Sequence, residues 1–290
     1  MIGQSKYEKI CLIGQGTYCS VYKAKDLRDD SIVSLKIRKY TLPNELETIN
    51  REVSILKELN HPNVVKLHDV EQDDTKFALV LDFFPIDLAS YIKTHQIQPN
   101  LLKSYAYQLL SGLNYLHSKG VIHRDINPSN VLLDENGFLK IGGFSLAKFS
   151  PPQASTPDLV TAYYRPPEIF LGSTSYANSV DIWSAGCVLA EMILRKPLFI
   201  GDNDTEILHK IFDIIGTPNE ETMLMFKQLP RYKDKPQDLA NILHGADAQI
   251  LDLISKMLQI DPSKRITAKD ALSHPYFNDL QQKIKDACAA

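Results

Sequence analysis

The chain has 290 residues, 44% of them hydrophobic, which supplies a large core for one long domain or two lobes and excludes a disordered chain. A net charge of −3 and a pI near 6.2 give no strong overall field, so neither nucleic acid nor an anionic membrane is indicated as a partner. Cys11, Cys19, Cys187 and Cys288 have neither the density of a disulfide scaffold nor the paired spacing of a zinc site, and they read as free thiols in a reducing compartment. Lys6, Glu8 and Lys9 stand where a secretory signal needs an apolar run, and Gly3 lies one place too late for myristoylation. Cys288 is misplaced for prenylation, and the apolar run 187–194 is too short to span a bilayer and holds Glu191. An intracellular protein of the cytoplasm or nucleus, with no membrane attachment, is expected.

The pattern of residues 1 to 84 predicts short strands around one helix, and the rest predicts helices separated by loops. Ile13-Gly-Gln-Gly-Thr-Tyr-Cys-Ser-Val21 is a glycine-bearing turn between two strands, where Gly14 and Gly16 would let the backbone approach a phosphate closely. Taken alone, such a turn is more often a plain hairpin. Val33, Leu35 and Ile37 alternate with Ser34 and Lys36, the pattern of a half-buried strand with Lys36 facing away from the lobe's core. Ile49, Val53 and Leu56 recur at helical spacing, and Glu52 falls on an adjoining face, aimed out of the small lobe. Leu102, Ala106, Leu109, Leu113 and Leu116 form the stripe of an amphipathic helix that Gly120 ends. The stretch 180–194 is apolar on nearly every side, as a central helix should be, and further helices are expected over 205–215, 248–258 and 268–273.

The order of these features carries more than any one of them. A glycine turn, Lys36 on a strand, Glu52 on a helix, His123-Arg-Asp-Ile-Asn-Pro-Ser-Asn130 and Arg165-Pro-Pro-Glu168 follow one another as in the protein-kinase signature. From Tyr7 to Phe277 the chain resembles the cyclin-dependent kinases, also in Glu58-Leu-Asn-His-Pro-Asn63, Asp181-Ile-Trp-Ser184, Gly216-Thr-Pro218 and Asp261-Pro-Ser-Lys-Arg265. The resemblance implies an α+β bilobal kinase fold over 7–277, with a small lobe of about 1–84 and a large one of about 85–290. It implies that ATP lies among Ile13, Gly14, Gly16, Val21, Ser34 and Leu132, with the backbone of Asp82 and Phe84 as hinge and Leu81 behind. Lys36, steadied by Glu52, would hold the α- and β-phosphates; Asp125 would accept the proton of a substrate hydroxyl, and Asn130 would hold a metal ion. Asn127 and Thr161 complete the implied catalytic set, while Leu56, Leu67, His123 and Phe144 match the side chains stacked between the lobes of active kinases.

The pattern breaks at the metal. Where the family has Asp-Phe-Gly this chain has Gly143-Phe144-Ser145, so the carboxylate that neutralises and ligates Mg2+ is absent and the ion is expected to be weakly held or lost. Cys19 replaces the third glycine of the loop, Ser34 the usual alanine above the purine, and Asn127 a lysine beside the transferred phosphoryl group. The resemblance also implies regulatory positions: Thr156 as an activating phosphosite clamped by Arg51, Arg124 and Lys148, and Thr17 and Tyr18 as inhibitory sites. Asn50, in the helix that meets a cyclin, puts a polar amide where an apolar residue belongs and argues against a standard cyclin. Leu159, Val160 and Arg165 resemble the pocket for a proline after the target residue, and Glu168 and Arg265 a buried ion pair. The expected protein is therefore a Ser/Thr kinase fold, proline-directed by descent, with weakened phosphoryl transfer and a protein substrate or regulatory protein as partner. The alternatives are an active kinase with one poorly held metal ion and an interaction module that binds no nucleotide.

Overall fold

A computed structural model describes residues 6–16, 19–39, 45–72, 76–150, 162–173, 177–216 and 238–280. In the small lobe, β1 (Tyr7–Gln15), β2 (Cys19–Asp26), β3 (Ile32–Lys39), β4 (Leu67–Gln72) and β5 (Lys76–Asp82) form one antiparallel sheet in the order β1-β2-β3-β5-β4, with α1 (Glu45–Glu58) between β3 and β4. Register sets what shares a face: Val21 lies opposite both Gly14 and Lys36, and Ser34 lies opposite Leu81. Because side chains alternate across a strand, these residues line one side of the sheet while Val33 and Leu35 join Tyr7, Ala24 and Val80 in a cluster on the other. Glu52, which helical spacing directs out of the small lobe, meets the sheet at the lobe boundary and is only 1% exposed there.

The large lobe follows as β6 (Ile86–Asp87), α2 (Leu88–Thr94), α3 (Pro99–Ser118), β7 (Val121–Ile122), β8 (Val131–Leu133), β9 (Leu139–Ile141), β10 (Lys148–Phe149), α4 (Pro167–Phe170), α5 (Ser179–Leu194), α6 (Asp204–Ile215), α7 (Leu239–Ile242), α8 (Ala248–Met257) and α9 (Ala268–Leu272). The stripe expected on α3 is buried, and Gly120 closes the helix in the left-handed conformation at φ +68. Nearly all of α5 is buried, which is why its apolar residues show so little periodicity. One continuous core runs from Ile49 and Leu56 of α1 through Phe144 to α3 and α5, so the two lobes share it. The α+β bilobal fold expected from the resemblance is the fold observed. Among the described residues no helix is long and apolar enough to cross a membrane.

Glu168 on α4 and Arg265 pair in the expected way, through two hydrogen bonds of 2.6 Å, with both residues buried. A fork-to-fork pair of this kind is strong mainly because either charge left alone would be buried without a partner. Glu168→Ala should therefore lower unfolding stability by about 3–5 kcal/mol in urea titration, and an unchanged midpoint would show that the pair does not hold the lobe.

Candidate functional site

The inner wall of the interlobe cleft is built by β3 and α1. Lys36 Nζ donates to Glu52 Oε1 at 2.7 Å, so the strand and helix signals identified in the sequence meet in space. The same ammonium donates to Ser145 Oγ at 2.9 Å, a second tie that crosses from the small lobe to the turn after β9. Glu52 Oε2 accepts no hydrogen bond among the described residues and has Arg38 Nη1 at 3.7 Å, so that oxygen is met by charge rather than by a bond.

The floor is the loop between β7 and β8, and α5 holds it from beneath. Asp181 accepts from the backbone N–H groups of His123 (2.9 Å) and Arg124 (2.8 Å) and pairs with His117 Nε2 at 2.9 Å. These bonds sustain Arg124 at φ +69, a backbone conformation that a side-chain-bearing residue keeps only when its surroundings impose it. Next in the loop, Asp125 has both carboxylate oxygens engaged: Asn127 Nδ2 donates to Oδ1 at 2.9 Å and Asn130 Nδ2 to Oδ2 at 2.8 Å. Asn127 is not extended toward a ligand, as its assignment beside the transferred phosphoryl group requires. Its Oδ1 accepts from the N–H groups of Ser129 (3.0 Å) and Asn130 (3.3 Å), capping the turn 128–130, and the residue is 5% exposed. The short amide competes for nearby backbone groups, which a long lysine side chain would not do.

The turn 142–145 closes the cleft. Gly143 adopts φ +77, ψ +44, and a Cβ added there would come to 2.2 Å from Asn130 Oδ1 and 2.3 Å from its Cγ. The volume that an aspartate at 143 would need is thus filled by the Asn130 amide. Phe144 is 1% exposed and sits edge-on to the His123 ring at 4.8 Å, while His123 Nε2 bonds to Gly142 O at 2.7 Å. Leu56 belongs to the same core as Phe144, and Leu67 packs against that core. Asp134 lies at the far end of the β8–β9 hairpin, accepting from the N–H groups of Asn136 and Phe138, about 10 Å from the Gly143 end on strand rise, so it does not replace the missing acid. Arg51, Arg124 and Lys148 gather behind the turn: Arg51 Nη2 reaches Ser145 O at 3.5 Å and Arg124 Nη1 reaches Leu146 O at 3.3 Å. Burial first, then the two arginine charges, hold the Lys148 ammonium below the usual lysine range.

A family model described as the protein kinase domain matches residues 7–277. The chain belongs to the protein kinase family. Kinase domains generally use ATP and Mg2+; in this one Val21 pairs with Lys36 across β2 and β3, Ser34 is buried and Ile13 is 45% exposed. At the hinge, the Asp82 N–H donates to Lys66 O at 3.2 Å, and Lys140 Nζ lies 5.7 Å from the Phe84 ring centre. Thr17, Tyr18, Thr156, Leu159, Val160 and Thr161 lie outside the described residues.

Three arrangements in this kinase domain had no signal in the sequence. Ser145, which stands where the family has the last glycine of the triplet, supplies the hydroxyl that Lys36 bonds. Asn130 turns toward Asp125 and Gly143, a conformation open to it only because residue 143 has no side chain. Asp82 joins the lobes through its carboxylate, which takes Lys66 N at 3.0 Å, His68 Nε2 at 2.7 Å and Lys140 Nζ at 2.5 Å. Burial opposes ionisation of that carboxyl, but the Lys140 bond and the others outweigh it and hold it below the usual carboxylate range.

Asp181 is the group on which the loop geometry turns. Burial again works against its charge, and the His117 hydrogen bond and charge, His123 and the Arg124 N–H overcome it, so its carboxyl lies below the ordinary range. A depressed carboxyl contributes stability above its unfolded value of about 3.9 and loses that contribution as pH falls through and below it. Asp181→Asn should lower stability by roughly 1.5–3 kcal/mol at pH 7 and flatten the acid-side loss in urea titrations between pH 5 and 3. An acid slope identical to that of the unmodified chain would refute this role.

Proposed function

We propose that this kinase domain is cyclin-dependent-kinase-like, binds ATP, is proline-directed by descent, and has weakened or lost phosphoryl transfer, so that it acts as a nucleotide-sensing or scaffold protein. One observation carries the reading: the place of the metal-binding carboxylate is taken by the Asn130 amide, whose nitrogen is spent on Asp125. The residues present do not fit the family's magnesium site. Mg2+ takes oxygen donors and gains most from carboxylates, whereas Gly143 offers no side chain and, among the described residues, no group of three or more His, Cys, Asp or Glu side chains could hold a metal. Loss of outer-shell partners alone lowers metal affinity or activity by about 10–100-fold, and a missing charged ligand should do at least as much. Asp125, with both oxygens already accepting amide hydrogens, is also poorly disposed to receive a hydroxyl proton.

The Arg51, Arg124 and Lys148 cluster supports retained regulation by an anionic group, the role assigned to a phosphorylated Thr156. Asn50 is exposed on α1, where its amide disfavours an apolar cyclin surface and leaves a different regulatory protein as partner. A second reading, an active Ser/Thr kinase with a poorly held metal ion, is favoured by the assembled Lys36–Glu52 pair and the packed Phe144.

A radiolabelled ATP assay on a proline-directed peptide, with Mg2+ or Mn2+, separates the two. Turnover at least roughly 100-fold below that of a kinase with the intact triplet is expected, with no further fall in Asp125→Asn. Ordinary turnover that Asp125→Asn abolishes would establish the active enzyme instead. Gly143→Asp should restore little, because it places a side chain at φ +77 and requires Asn130 to swing away.

A further inference from the structure

One buried carboxylate and two cations meet where β3 faces α1. Lys36 and Arg38 stand two residues apart on β3, opposite Val21 and Cys19 on one neighbouring strand and opposite Leu79 and Phe77 on the other, so both side chains leave the same face of the sheet. Both reach Glu52: Lys36 Nζ lies 2.7 Å from Oε1, and Arg38 Nη1 lies 3.7 Å from Oε2. The first contact is a hydrogen bond, and the second is too long for one. Glu52 Oε2 is therefore buried with no hydrogen-bond partner among the described residues, and so is Nε of the Arg38 guanidinium. Buried polar groups are nearly always bonded, so an orphaned acceptor beside an orphaned donor of opposite charge marks a bond held open. Lys36 meanwhile is divided, because its ammonium also donates to Ser145 Oγ at 2.9 Å on the turn after β9.

We infer that Arg38 is a second positioning residue for α1, which takes up Glu52 Oε2 when Lys36 is drawn away from Oε1. Bringing Nη1 from 3.7 Å into hydrogen-bond range needs a shift of under about 1 Å, within reach of a long side chain on a fixed strand. A buried carboxylate that loses its only cation is strongly destabilised, so with Lys36 alone the helix would have to move whenever the lysine did. With two cations on one face of β3, Glu52 keeps a partner and α1 keeps its place. One positive charge then neutralises Glu52, and the other is left over for an anion in the cleft. The positioning needs no ligand, so it goes beyond the proposed function and stands whether or not the cleft takes a nucleotide.

Hydrogen exchange of the α1 amides in the full chain, with α5 as internal reference, tests this in a double-mutant cycle of Lys36→Met and Arg38→Met. Methionine keeps an apolar stem and removes the charge. Each single variant should speed α1 exchange by less than about threefold, and the double variant at least about fivefold beyond the product of the two. In a Glu52→Gln background that excess should vanish, a response that lost packing alone would not give. Arg38→Lys in the Lys36→Met chain should keep protection that Arg38→Met loses. If the double variant fails to fold, which rapid exchange in α5 would reveal, Glu52→Gln should rescue it, and failure to rescue would overturn the inference. So would single effects that merely multiply, an excess that survives Glu52→Gln, or a Lys36→Met chain whose α1 exchanges as fast as that of the double variant.

Discussion

At Gly143 the backbone turns through the left-handed region and presses against the Asn130 amide so closely that no side chain could stand between them. The rest of the site is arranged around that contact. Because residue 143 has no Cβ, Asn130 can lie across the turn, and because it lies there its nitrogen reaches Asp125, whose other oxygen is held by Asn127. The loop 125–130 is in this way closed on itself by neutral amide bonds. Each bond is of ordinary strength, but jointly they engage the groups that chemistry would have to use.

The framework around this closed loop is that of an assembled kinase domain. Lys36 and Glu52 are paired, Phe144 is buried against His123, and Asp181 fixes the strained Arg124 from below. Such features position a nucleotide and align the lobes, and the Asp82 carboxylate, with His68 and Lys140, adds a tie across the hinge. Positioning and charge handling are the two parts of phosphoryl transfer. On the reading proposed above the parts come apart in this chain: the first keeps its Lys36–Glu52 pair, and the second would lack a carboxylate at Gly143 and a lysine at Asn127.

Much of this is legible in the amino-acid sequence. Period-two alternation places Val33 and Leu35 in a core and Lys36 on the opposite face, helical spacing places Leu102 through Leu116, an apolar run on every side places the central helix over 180–194, and the order of Lys36, Glu52, Asp125 and Asn130 points to the family. The absence of an acid at 143 is also a property of the sequence alone. Helical periodicity directs Glu52 out of the small lobe but does not tell a face turned to solvent from one turned onto a neighbouring lobe, and its burial follows from the packing.

Three outcomes belonged to tertiary structure: Ser145 bonding Lys36 across 109 positions of chain, Asn127 folding inward as a cap, and Asn130 filling the space beside Gly143. Local sequence determines which face a residue presents and what its side chain can donate or accept. Which of several partners a short polar side chain takes depends on what volume its distant neighbours leave empty, and that is decided only when the lobes and loops are packed together.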